Sequence, residues 1–477
     1  MRGDRLFGLL WPVIIEQVLA TAVTMLGSFL VSSVSEAAIA GAGLVDSFNF
    51  FVFTVLTAIA TGVTVVVAQW TGSGDMERAG DTAMQSIVLS TLVAVVMAAV
   101  LTYFSRQMLS ALFGDAEGEV LRQAHIFFTY SLLSLPMMAL ITVTSGVMRA
   151  TSNVIMPMLG SMISTAAYII LSLILVLGLR MGVAGIGVSL FAARTLAAGA
   201  QCAMLWRHPG SLRLPRFRMP GMGGASHRGT ARGTEAACLA EAPIARSALR
   251  LSWPVLLPVL LIALPAGFDQ AIFNGSKLYV TSFVSGMGTH SLAAYAMSSS
   301  LTNLMQLPGR AFAIVVVTTV GQLYGARLYR SAQRELLRVT LLSSLALLVT
   351  SLVFIPLMPR LIAMYNPSPE GAQVARSLMN MMLWSSPILW SASFVTPCGL
   401  RTVNRVKFAM AVSSLSMLLL RLLFSYILGV RMGWGVYGIW VAMVLDWVGR
   451  GVFFMGRNLL DLRSSRDKPT EGIPRLT

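Results

Sequence analysis

Four carboxylates lie inside long apolar stretches of this chain: Glu16, Asp46, Asp269 and Asp446. A charge at bilayer depth costs about 2.5–3.5 kcal/mol on insertion scales, so an ionisable residue kept there is a functional candidate. Asp269 sits in Ala263-Leu-Pro-Ala-Gly-Phe-Asp-Gln-Ala-Ile-Phe-Asn274. Pro265 frees helix carbonyls and bends the chain, as in ion-binding broken helices. A carboxylate beside such a break can take a proton or cation from one side of a membrane and release it to the other. The competing reading is an acid that only fixes packing; the bend favours ion coupling. Glu16 is the second candidate. It precedes Gly27 by eleven residues, which turn a helix by about 1100°, within about 20° of whole turns. Both therefore share a face with Ala20 and Val23. An interfacial acid near the headgroups is an equal alternative.

Other residues can line a cavity or hold a framework. Asp46, with Asn49 and Phe50, lies near one end of the second apolar stretch, where an acid also suits a helix N-terminus. Phe273, Asn274 and Trp390 are candidate cavity residues, since flexible or aromatic side chains suit promiscuous binding. Arg310 follows Pro308-Gly309 and can face the cavity, pair with Asp269, or reach water by snorkelling. Asp446 and Arg450 are spaced to pair on one helix face, and Arg421 can join them as a structural ion pair. The cysteines, Cys202, Cys238 and Cys398, show no pairing or metal spacing, and neither do the four histidines. No phosphate loop or nucleophile–base pair stands out. No metal, cofactor or enzymatic activity is expected.

These residues need helices that cross a bilayer. Of 477 residues, 56% are hydrophobic and 11% charged, against about 25% charged in soluble domains. The apolar runs are continuous, which argues against a transmembrane barrel. Spanning helices are expected near 8–33, 44–69, 83–104, 125–147, 156–178, 183–206, 253–279, 290–318, 336–357, 377–399, 408–429 and 433–456. With the N-terminus inside, the inner segments, counting Arg338 at the inner end of the ninth span, hold 24 basic residues and the outer loops 6. That bias predicts both termini in the cytoplasm and explains the net charge of +16 without nucleic acid.

The chain repeats. Trp11-Pro12-Val13 recurs as Trp253-Pro254-Val255. Ala68-Gln69 with Gly72 recurs as Gly321-Gln322 with Gly325, at an offset of 253, and Arg149 recurs as Arg401. Gly178-Leu-Arg-Met-Gly182 recurs as Gly429-Val-Arg-Met-Gly433. The expected architecture is all-α and polytopic. Two six-helix lobes, 1–206 and 251–457, are related by a pseudo-two-fold along the membrane normal. A basic cytoplasmic linker, 207–250, joins them, and a tail, 458–477, follows. The linker reads as a solvated tether, with contact to anionic headgroups as the lesser reading.

Several blocks together resemble the multidrug and toxic compound extrusion (MATE) family. They are Trp11-Pro-Val-Ile-Ile-Glu-Gln17, Val31-Ser-Ser-Val-Ser-Glu-Ala-Ala38 with Leu44-Val-Asp-Ser47, Ala68-Gln69, Val147-Met-Arg-Ala-Thr-Ser-Asn153, Thr319-Val-Gly-Gln322, and Gly433-Trp-Gly-Val-Tyr-Gly-Ile-Trp-Val441 leading to Met443-Val-Leu-Asp-Trp-Val-Gly-Arg450. The resemblance implies twelve helices around a cleft. It also implies export of organic compounds, cationic ones included, in exchange for protons or sodium and without ATP. It departs from the family at Gly27, where many members carry an acid, and in the tenth span, which has none. Asp269 lies about one turn from the acid usual in the seventh helix. The expectation is a monomeric secondary exporter in the cytoplasmic (inner) membrane, in contact with lipids and a small organic substrate. A lipid-linked saccharide flippase of related form is the alternative.

Overall fold

A computed structural model describes residues 3–32, 36–107, 118–207, 251–365 and 367–464. The linker call, apart from Arg207, and the tail call beyond Ser464 lie outside these residues. Among them the chain is helical, with no strand. We number the helices by crossing. The first lobe has α1 (Gly3–Ser32), α2 (Glu36–Ser73), α3 (Met76–Tyr103), α4 in two pieces (Gly118–Leu133 and Leu135–Ala150), α5 (Ile155–Ser172, prolonged by a π segment Leu173–Gly178) and α6 (Gly182–Arg207). The second has α7 (Trp253–Ser285), α8 in two pieces (Thr289–Met305 and Leu307–Gly325), α9 (Tyr329–Ala363), α10, α11 and α12 (Gly435–Ser464). Helix α10 runs as Pro369–Ser385, a π segment Ser386–Trp390, and Ser391–Thr402; α11 is Val406–Ser416 followed by π segments Met417–Leu423 and Ser425–Arg431.

Ten helices are long and apolar enough to cross a bilayer, and the two pieces of α4, bent by 45° at Ser134, make an eleventh span. Pro136 follows that bend, where a missing N–H costs least. The twelfth, α10, is too polar to qualify on composition. Its Ser386, Ser391, Ser393 and Thr396 are all buried, so it crosses among other helices, where small polar side chains are tolerated.

The helix ends fix the register of the repeat. Ser32 and Ser285 end α1 and α7, Glu36 and Thr289 begin α2 and α8, and Met76 and Tyr329 begin α3 and α9, each pair 253 residues apart. The Trp11-Pro12 and Trp253-Pro254 match is 242 residues apart, a slip of eleven, or about three turns. In the register of the fold Pro12 answers Pro265, Glu16 answers Asp269, and Gln17 answers Gln270. Both lobes thus open with Pro-x-x-x-acid-Gln.

The lobes meet at the end of the molecule that carries the termini. The Gln69 side chain donates to the Thr402 carbonyl at 2.7 Å, and Gln322 donates to the Ala150 carbonyl at 2.7 Å. These are repeat-related contacts, each crossing from one lobe to the other. Gly72 and Gly325 allow them: a Cβ on Gly72 would overlap the Gln322 carbonyl, and one on Gly325 the Gln69 carbonyl. Only glycine lets the ends of α2 and α8 cross so closely.

Candidate functional site

The two leading carboxylates are each gripped by an arginine of their own lobe. Arg149, at the end of α4, donates through Nη1 to both oxygens of Glu16, at 2.8 and 3.0 Å. Arg401, at the end of α10, donates through Nη2 to Oδ2 of Asp269. The four side chains are 12–15% exposed. The acids are repeat mates, and so are the arginines. The partners lie 133 and 132 residues away in the chain, which hid the pairing from a reading of local motifs. The doubled Pro-x-x-x-acid-Gln was the available signal. It was obscured by the more conspicuous Trp-Pro match.

The first pair adjoins the seam between the lobes. Thr318 of α8 donates to the Arg149 carbonyl at 3.0 Å, next to the Ala150 carbonyl that takes Gln322. Val13, Arg149 and Thr318 come together there around a crevice too narrow to hold a water molecule. In the second lobe, Thr402 follows Arg401 and takes Gln69. In each lobe, then, the residue after the gripping arginine closes the seam with its backbone.

Helix α7 has two exposed faces. Leu261, Phe268 and Tyr279 are exposed on one side. Gln270 and Lys277 are exposed on the opposite side, about 160–180° away by helix geometry. That second face also bears Val259 and Ala263, which pack against Gly62 of α2. It therefore turns toward α2 of the other lobe. Arg310 on α8 shares a face with Gly321, which meets Ala68, and Gly325, which meets Gln69. It too looks toward the first lobe. Its Nη2 donates to Asn303 Oδ1 at 2.6 Å; the alternative of pairing with Asp269 fails because Arg401 holds that acid.

The remaining expected cavity residues divide. Phe273 is half-buried, edge-on to Phe394 at 6.2 Å and under the Arg421 guanidinium at 5.4 Å. Asn274, expected on a cavity wall, is buried and donates to Thr54 Oγ1 of α2 at 3.1 Å. It bridges the lobes because α7 and α2 are in contact there. Trp390, also expected on the wall, is buried within the second lobe, stacked on Phe394 at 4.9 Å and filling the space left by Gly309. Asn49 is half-buried, its Oδ1 without a hydrogen bond among the described residues. The side chains of Asp46 and Phe50 lie outside the described residues.

Asp446, Arg450 and Arg421 come together in the buried interior of the second lobe. Asp446 lies 3.8 Å from Arg450 and 4.0 Å from Arg421, and Ser416 donates to it at 2.6 Å. Arg450 also stacks over Phe394 at 4.4 Å. Arg194 of α6 donates to Ser134 at the bend of α4. Among the described residues no group of His, Cys, Asp or Glu could hold a metal ion.

Two repeat-related lobes of helices long and apolar enough to cross a bilayer, each with a carboxylate–arginine pair next to the seam, make this a multi-pass membrane protein. The chain belongs to the MATE family: the MatE family profile matches residues 12–197 and 265–427. An uncharacterized transporter of Bacillus subtilis (strain 168), YisQ, is 22% identical over 461 residues, covering 95% of this chain and 93% of its own. A probable multidrug resistance protein NorM of Thermotoga maritima is 20% identical over 444 residues, covering 92% and 88%. A solved outward-facing structure of a multidrug resistance MATE family transporter matches with a TM-score of 0.83 at 16% identity, over 97% of this chain and 96% of that one. That likeness establishes the twelve-helix, two-lobe fold. These relatives are transporters, which fits a protein without enzymatic activity, and they favour an exporter over the flippase expected as the alternative.

Proposed function

We propose that this protein exports organic compounds from the cytoplasm by alternating access, in exchange for protons or sodium ions bound at Glu16 and Asp269. Family membership supports the exporter. The observation that carries the coupling assignment is the pair of repeat-related carboxylate–arginine contacts, each one residue from a backbone carbonyl of the seam. A proton or sodium ion arriving at Glu16 competes with Arg149 for the same oxygens. Release of Arg149 loosens the end of α4, whose Arg149 and Ala150 carbonyls hold α8. The same sequence runs through Asp269, Arg401 and Thr402 to α2. Ion binding and seam opening are then thermodynamically linked, and linkage works in both directions. The cleft, closed at the end bearing the termini, is open to the exterior if both termini lie in the cytoplasm, as the basic loops support. In this reading the protein acts as a monomer in the cytoplasmic membrane and needs no cofactor beyond the coupling ion.

The test is gradient-driven transport in reconstituted vesicles, with imposed proton and sodium gradients and a panel of dyes. Glu16→Gln with Asp269→Asn is expected to abolish driven transport while leaving downhill exchange measurable. Undiminished driven transport in the double variant rejects the assignment.

A further inference from the structure

We infer that the cleft wall of the second lobe is a binding site for organic anions, with Lys277 and Arg310 receiving the negative charge; this rests on the exporter reading above. Lys277 and Arg310 occupy the faces of α7 and α8 that look across to the first lobe. Neither forms an ion pair with a carboxylate among the described residues. Lys277 is exposed and Arg310 half-buried, and the Lys277 charge is repelled by those of Arg421 and Arg310. Behind them, Asp446 is shared between Arg421 and Arg450, leaving that buried cluster one charge positive. Asp269 is spent on Arg401. The wall as a whole therefore carries an uncompensated positive charge. In the low-dielectric surroundings of a membrane protein such a charge strongly favours an anion and repels a cation.

The repeat supplies an internal control. In the first lobe the positions answering Lys277 and Arg310 are Thr24 and Thr57, at the offset of 253. At the offset of 251 that holds after Arg401, the positions answering Arg421, Asp446 and Arg450 are Ile170, Thr195 and Gly199. None is ionisable. The fold itself does not require these charges, because the other lobe builds the same helices without them. Phe273, half-buried on the same helix as Lys277, lies under the Arg421 guanidinium, so it offers an aromatic surface beside the charge. That combination fits a flat aromatic anion bearing a carboxylate, sulfonate or phosphate. A membrane potential negative inside also pushes such an anion in the export direction.

Two xanthene dyes of similar size and opposite charge test the inference: carboxyfluorescein, an anion, and rhodamine 6G, a cation. Equilibrium binding by fluorescence anisotropy, with the protein in nanodiscs and no gradient, should show the anion bound at least tenfold more tightly. The variant Lys277→Gln with Arg310→Gln should weaken the anion about thirtyfold or more and leave rhodamine 6G unchanged or tighter. Lys277→Arg should stay near wild type. Lys277 is exposed and Arg310 half-buried, and a thermal melt verifies that the variants are folded. Tighter binding of the cation, equal binding of the anion to the double variant, or binding of neither dye overturns the inference. Retained anion preference with no gradient-driven transport of either dye would sink the exporter reading alone. Driven transport of rhodamine 6G without anion preference would sink the anion site alone.

Discussion

At the scale of single residues, the two carboxylates gain their meaning from their partners. A guanidinium and a carboxylate taken largely out of water are costly apart and tolerable together. Asp269→Asn leaves Arg401 without its counter-charge in a site only about an eighth exposed. We expect a loss of about 2–4 kcal/mol of stability, read as a lower melting temperature in detergent. Adding Arg401→Gln should restore much of that loss without restoring the coupling ion that Asp269 binds. Equal melting temperatures for Asp269→Asn and wild type would mean that the pair holds nothing in place. Asp446 makes a sharper case, since it is fully buried between two arginines. Asp446→Asn should cost about 3–5 kcal/mol, measured the same way, and a shift no larger than that of a surface substitution would count against the network. The acids themselves stood out in the sequence because apolar surroundings make a carboxylate conspicuous. Their arginines did not, because the contact spans more than a hundred residues and Arg149 and Arg401 lie near helix ends, where a basic residue is ordinary.

At the scale of elements, the closure at the termini end depends on two helix crossings that only glycine permits. A side chain at Gly72 or Gly325 would meet a backbone carbonyl of the opposite lobe, and a carbonyl within a helix cannot rotate away. Overpacking of this kind costs about 1–3 kcal/mol, enough to shift a two-state equilibrium by about five- to a hundred-fold. We expect Gly72→Ala and Gly325→Ala each to populate the form open at this end. Spin labels at exposed Ser73 and Ser331 should then report longer separations than in the wild type, and transport should fall at least tenfold. Unchanged separations would show that the crossing has slack. The helices were readable because continuous apolar runs leave few other structures in a bilayer. The Ala68-Gln69-Gly72 block was readable as a repeat but not as a contact, since nothing in a motif says which lobe it touches. The break in α8 was readable at Pro308-Gly309, whereas that in α4 was hidden: Pro136 marks it, yet a proline in a membrane helix more often produces a kink than an interruption.

At the scale of the whole molecule, the two-fold repeat and its violations do different work. The number of helices, the two lobes and the axis followed from composition and internal similarity, although the Trp-Pro match set the register of α1 against α7 wrong by eleven residues. Because eleven residues nearly complete three turns, the slip preserved every face while displacing every depth. It made Glu16 and Asp269 look unrelated. In the register of the helix ends they are equivalent, one acid per lobe, each joined through its arginine to one half of the seam. A transporter built this way should carry one coupling ion in each lobe and open only when both seam halves are released. The ratio of coupling ions to substrate is then two. It can be read from the membrane potential at which net flux through reconstituted protein reverses. Glu16→Gln and Asp269→Asn should each lower the ratio to one, because either substitution leaves its seam half permanently without a charged acid to bind an ion. If one variant alone abolishes coupling and the other leaves the ratio at its wild-type value, a single lobe carries the ion, and the second acid–arginine pair serves only to hold its helices together.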